Sequence, residues 1–155
     1  MTMPRVAQRS GVSRANLYQH FVSKDHLIAA AYADIVETAV GVPKGRALHA
    51  ATASERVLAY FDQAINRSIA RPQLIDAYVR AFARAPNDVI DAIPNVLVTR
   101  IEQVLGPSIR NRAEIALVLE LVYSTLISSV VGRGAPVEQM RSDLQTAVKV
   151  ILGKR

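Results

Sequence analysis

Apolar residues recur at steps of three and four along nearly the whole chain, and the alternating runs that suit a strand are almost absent. Leu27, Ala31, Ile35 and the Ala39–Val40 pair form one such stripe. Val137, Met140, Leu144, Ala147, Val148 and Ile151 form another. Segments with this period bury one face each against other helices, so the expected fold class is all-α. Glycine and proline mark the breaks. Thr2 followed by Pro4 suits a helix start, with the helix running to Arg9 and closing at Ser10-Gly11. Ser13 and Ser23 start a second and a third helix, the third covering 25–40. "GVPKGRALHAATAS" (41–54) reads as a linker. Thr52 with Glu55 has the form of a capping box for a helix over 54–70. Pro72 fits the first turn of the next helix, which should stop before Pro86. "APND" (85–88) restarts a segment towards Leu105 that Pro94 should kink, and Gly106-Pro107 ends it. A long helix over 110–131, a turn at "GRGAP" (132–136) and a last helix over 137–152 complete the reading.

Half of the 155 residues are hydrophobic, enough for a sizeable core. The formal charge of +6 is uneven, because Arg5, Arg9, Arg14 and Lys24 all precede the first acid, Asp25. A basic end on a nearly balanced body suggests an anionic partner met by that end, and a solvated basic face is the plainer reading. There is no cysteine, so disulfides, thiolate metal sites and cysteine nucleophiles are excluded. His20, His26 and His49 are the only histidines; the first two are six apart, off a common helical face, with no carboxylates at ligand spacing. Neither a glycine-rich phosphate loop nor a serine nucleophile elbow is present. No catalytic residue, metal site or cofactor is expected. The polar start lacks a signal-peptide pattern, and the apolar run 115–131 is interrupted by Glu120 and several serines. The expected location is the cytoplasm, without a membrane span.

The most informative stretch is "RSGVSRANLYQHFVSKDHL" (9–27). Gly11 allows the positive-φ joint between two short helices, and Ser13 can cap the second. Leu17 and Phe21 share one face of that helix, where Val6 and Ala7 of the first helix and Val12 can join them. The other side carries Arg14, Asn16, Gln19 and His20. This is the layout of a helix-turn-helix, whose second helix presents its N-terminal residues to base edges in the major groove. Ser23 and Lys24 at the third helix start would form a phosphate clamp. An ordinary capped helical hairpin has the same spacing.

Residues 11–27 resemble the recognition helix and following helix start of TetR-family transcriptional repressors, with a pattern close to G-V-S-x-G-T-L-Y-x-H-F-x-S-K-E-x-L. Gly11, Val12, Ser13, Leu17, Tyr18, His20, Phe21, Ser23, Lys24 and Leu27 match, while Ala15, Asn16 and Asp25 depart from it. The resemblance implies that Ser13, Arg14, Ala15, Asn16 and Gln19 face DNA. It places Tyr18 and His20 against the backbone or groove wall, and Thr2 and Lys24 on phosphates. Arg14 is the candidate for a guanine, since its fork can pair with O6 and N7. The family also carries a helix ahead of the position of Thr2. Without one, Val6, Val12, Leu17 and Phe21 would face a gap one helix wide, and DNA binding would weaken. A start assigned too late, a shortened chain and a true absence all stay open.

Two parts follow: 1–40, the helix-turn-helix with its connecting helix, and 41–155, a ligand-binding and dimerisation domain. "EIALVLELVYSTLISSVV" (114–131) is apolar nearly all round, and with the last helix it would form a four-helix interface across a two-fold axis. Tyr60, Phe61, Ile65, Tyr78, Phe82, Ile93, Leu97, Tyr123 and Leu126 are the candidate pocket walls for a small apolar or amphipathic effector, although each also suits plain core. The tyrosines stand out, because a buried hydroxyl needs a partner and could orient a polar ligand group. Residues 71–86 also resemble the corresponding segment of actinobacterial repressors of cholesterol catabolism, whose ligands are steroid acyl-CoA thioesters. The expected function is a homodimeric, effector-released repressor of operator DNA. The alternatives are an enzyme, for which no constellation exists, and a ligand- or partner-binding helical dimer that does not bind DNA.

Overall fold

A computed structural model describes residues 2–35, 42–84 and 96–153, and all the elements in them are helices. In chain order these are α1 (Met3–Ser10), α2 (Arg14–His20), α3 (Lys24–Ile35), α4 (Arg46–His49), α5 (Ala53–Ile69), α6 (Pro72–Phe82), α7 (Val96–Leu105), α8 (Arg112–Arg133) and α9 (Val137–Leu152). The expected all-α class holds. Positions 36–40 of the third helix, the restart at 85–88, Ile93 and the Pro94 kink lie outside the described residues.

Local chemistry sets the boundaries. Pro4 sits in the first turn of α1, and Gly11 ends that helix at φ +71, with Val12 N–H bonding Ala7 O at 3.2 Å. A Cβ on Gly11 would meet nothing within 4 Å, so the backbone angle alone calls for glycine there. The capping box on α5 is complete: Glu55 N–H donates to Thr52 Oγ1 at 3.2 Å, and Thr52 N–H to Glu55 Oε2 at 3.0 Å. One expectation fails. The stretch 41–54 is not an irregular linker throughout, because 46–49 make a helical turn with Ala47 fully buried. Tertiary packing explains it. Lys44 N–H and O bond the Gln63 side chain at 3.2 and 2.6 Å, which pins this segment along α5.

Helix α5 is the axis of the body and touches α4, α6, α7, α8 and α9. Its buried residues Val57, Tyr60, Phe61, Ala64, Ile65 and Ser68 follow the helical period expected of a core-facing stripe. Ile101, Leu105, Leu119, Met140 and Leu144 close over it. Arg56 ties its start to α7, donating to the last carbonyls, Val104 O and Leu105 O, at 2.8 Å each. The same guanidinium reaches Ala50 O at 3.1 Å, so one side chain caps α7 and fastens the chain between α4 and α5.

A second, smaller core holds the N-terminal helices together: Met3, Ala7 and Leu17, flanked by Val6, Phe21 and Leu27. Of the four residues expected to face a gap, Leu17 is buried, Val6 and Phe21 are half-buried, and Val12 stands 36% exposed. The main contact between these helices and the body is α3 on α6.

Candidate functional site

The N-terminal helices display a polar face on a fixed frame. Ser13 Oγ accepts the Asn16 N–H at 3.1 Å, which starts α2 where the sequence calls for it. That bond occupies one lone pair and leaves the Ser13 O–H to donate. Arg14, Ala15, Asn16, Tyr18, Gln19 and His20 are all exposed, and Leu17 is the one buried residue of the helix. The side chains expected to face DNA are therefore brought together on one solvent-facing surface, held by a single apolar anchor. Thr2 is exposed at the start of α1 and makes no side-chain cap bond. Lys24 opens α3 with its Nζ 3.9 Å from Asp25 Oδ1, a loose surface pair that water screens. An open groove of about 590 Å³ runs beside this surface, lined by Thr2, Pro4, Arg5, Ala7, Gln8, Val12 and Arg14. Two of its walls are arginines, so its potential is positive.

His26 has a part that its sequence position did not suggest. Its N–H donates to Ser23 Oγ at 3.1 Å, its Nδ1 accepts the Val22 N–H at 3.4 Å, and its ring meets Phe21 edge-on at 5.4 Å. The imidazole thus sets the turn from α2 into α3 and is a structural group.

Aromatic side chains gather in the body. Phe61 and Tyr123 stack with centroids 5.4 Å apart and planes 7° apart, and Tyr60 lies 6.1 Å from Phe61. Tyr78 stacks on Tyr32 at 3.9 Å and meets Phe82 at 5.6 Å. Of the expected pocket residues, Tyr60, Phe61, Ile65 and Tyr123 are buried in one core cluster, with Leu97 and Leu126 half-buried against it. Phe82 does not join them; at 38% exposed it is a rim residue, on the last turn of α6.

Two participants were missed in the sequence. Tyr32, read as part of a connecting helix, stacks on Tyr78 and packs against the body core. Ser68, the one buried polar residue among those described, shares a hydrogen bond of 3.1 Å with the Tyr123 hydroxyl across the space between α5 and α8. Burial raises all four phenols above the usual tyrosine range: Tyr78 and Tyr123 to about 12, with the Glu120 carboxylate adding to both, and Tyr32 and Tyr60 higher still. Every one of them is a neutral hydrogen-bonding group at physiological pH.

Nothing in the described residues groups three or more histidine, aspartate or glutamate side chains in a way that could hold a metal ion. Helix α8 is long and apolar enough, by length and composition, to cross a membrane, but Ala116, Leu119, Tyr123 and Ile127 are buried in the body. Its opposite side exposes Leu117, Val118 and Leu121 at 47%, 47% and 56%.

Comparisons with known proteins agree with this anatomy. No curated protein sequence matches the chain. A solved structure with the same fold, described as a TetR transcriptional regulator from Rhodococcus sp. RHA1, superposes with a TM-score of 0.84 at 22% identity, over 99% of this chain and 85% of that one. Residues 1–31 match the family model described as bacterial regulatory proteins of the tetR family. Residues 50–151 match the one described as the tetracyclin repressor-like C-terminal domain. With a reading helix at one end and this helical domain filling the rest, the chain belongs to the TetR family of ligand-responsive, DNA-binding transcriptional regulators.

Proposed function

We propose that this protein is a homodimeric repressor whose grip on operator DNA is released by a small apolar or amphipathic effector bound among the tyrosines of its body. The observation that carries the reading is the stack of Tyr32 on Tyr78. Tyr32 lies on α3, which follows the reading helix after three residues, and Tyr78 lies on α6 at the edge of the aromatic cluster. A molecule that enters the cluster and parts these rings shifts α3, and the reading helix moves with it. The effector then favours the population of dimers whose two reading helices no longer meet successive major grooves.

In this account Arg14, Asn16 and Gln19 read bases, while Ser13, Tyr18, His20, Lys24 and Thr2 position the helix on the backbone. Ala15 permits close approach. The dimer forms through α8 and α9, supported by the exposed Leu117, Val118 and Leu121 and by Val150 at 69% exposure. Large apolar side chains in such a row favour a second copy over water. The protein works in the cytoplasm, where its operator is, and performs no catalysis.

The test is fluorescence anisotropy with labelled DNA flanking the protein's own gene, across a salt series. Binding whose logarithm falls linearly with the logarithm of salt supports the reading. Arg14→Ala should weaken discrimination at one base pair by about 1–3 kcal/mol. Salt-independent binding, or an Arg14→Ala protein with unaltered base preference, would contradict it.

A further inference from the structure

Four of the polar atoms in and around the aromatic cluster are paired. The Tyr123 hydroxyl bonds Ser68, and the half-buried Glu120 carboxylate takes the Ser124 hydroxyl. The Tyr60 hydroxyl is different. Tyr60 is 1% exposed, and its oxygen has no hydrogen-bond partner among the described residues. A buried phenol left in that state costs about 1–3 kcal/mol relative to a bonded one. The sequence had the means to avoid that cost, since phenylalanine fits beside Phe61 without a hydroxyl. A donor left unpaired in the core calls for a reason, and a bound molecule supplies one.

The surroundings define that partner. Burial holds the phenol neutral, so its O–H is available to donate. Arg100 and Arg67 lie near enough to act on it electrostatically, and positive potential at this end favours an electron-rich atom. Glu120 acts on Tyr78 and Tyr123, whereas the two arginines act on Tyr60. The cluster contains near-parallel rings: Phe61 on Tyr123 with planes 7° apart, and Tyr32 on Tyr78 with planes 22° apart. Parallel faces accept a flat ring more readily than a branched chain. Tyr32 and Tyr78 are both half-buried, so their stack is the part of the cluster that meets solvent.

We infer that the effector is a flat ring compound bearing a hydrogen-bond-accepting oxygen, such as a ring ketone, and that the Tyr60 hydroxyl donates to that oxygen. The inference rests on the effector-site reading above and narrows it from any apolar molecule to one with an acceptor at a fixed end.

Two probes that differ only in a carbonyl test it: 1-tetralone and tetralin, titrated calorimetrically into the wild-type protein and into Tyr60→Phe. The ratio of ketone to hydrocarbon affinity is expected to fall about fivefold to tenfold in the variant, the size of one hydrogen bond. The unliganded variant should unfold at the same or a higher temperature, because it has lost an unpaired group. If both probes bind and the ratio does not change, the hydroxyl has no ligand role, while the effector site itself stands. A variant that unfolds at a clearly lower temperature shows the hydroxyl already satisfied within the fold, and overturns the inference. If neither probe binds, both the inference and the effector site fall.

Discussion

The N-terminal helices and the helical body solve opposite problems. Around α1 and α2 the core is three buried residues, Met3, Ala7 and Leu17, and what matters functionally is turned outward. In the body the core spans six helices, and the chemistry of interest, the four phenols, Ser68 and Glu120, is buried or half-buried. A surface that reads DNA needs exposed donors held by a minimal frame, and under the proposed function the body needs polar atoms within a large apolar mass. The difference teaches where each part is vulnerable. The reading surface fails through its frame, and the body fails through its hydrogen bonds and packing. The Tyr32–Tyr78 stack at 3.9 Å is where the two regimes meet.

The sharpest contrast between them comes from truncating each core. Phe61→Ala removes a ring stacked on Tyr123 at the centre of the body and should cost about 3–5 kcal/mol, seen as a large fall in the global unfolding temperature. Leu17→Ala should cost about 2–3 kcal/mol, with the loss confined to the N-terminal helices. Amide exchange would then show α1 and α2 unprotected while α5 and α8 keep their protection. If α5 lost protection as well, the two regions would be one cooperative unit and the comparison would fail.

Hydroxyls sharpen the picture within the body. Tyr123→Phe leaves Ser68 buried without its partner and should destabilise by about 1–2 kcal/mol in denaturant unfolding. Tyr60→Phe should not destabilise at all. Equal losses in the two variants would mean that both phenols serve the fold alone. Back in the N-terminal part, Gly11→Ala forces a side chain into the left-handed region at φ +71 and should cost about 1 kcal/mol, again local to α1 and α2.

The smallest effect is a pH dependence. The Thr52 N–H and hydroxyl hold the Glu55 carboxyl below its ordinary pKa. A group depressed in the folded state contributes stability above its unfolded pKa, and that contribution disappears as pH falls through the lower folded value. Wild type should therefore lose slightly more stability than Glu55→Gln between neutral and acidic pH. An identical slope for the two would show that the capping box makes no electrostatic contribution.

The reading surface was legible in the sequence because it is local. Gly11, Ser13, Leu17 and Phe21 state the turn, the cap and the buried side within eleven residues, and each acts on its near neighbours. The helix order was legible for the same reason, through Pro4, Pro72, Gly106 and the Thr52–Glu55 pair. The body's polar interior was not. Ser68 and Tyr123 are 55 positions apart, and Arg56 caps carbonyls 48 and 49 positions away, so no periodicity connects them. Tyr32 shares a helix with Leu27 of the N-terminal core, and only the packing of α3 on α6 gives it to the aromatic cluster. The helical turn at Arg46–His49 was hidden by its glycines and its brevity, since the contacts that stabilise it come from α5.

Selection of bound duplexes from a random-sequence pool tests the central claim most directly, using the full chain in solution. The account predicts enrichment of a two-fold symmetric site with half-sites about 10 base pairs apart, and loss of one base preference in each half-site for Arg14→Ala. Recovery of unrelated sequences, or of a symmetric site that Arg14→Ala selects unchanged, would contradict it.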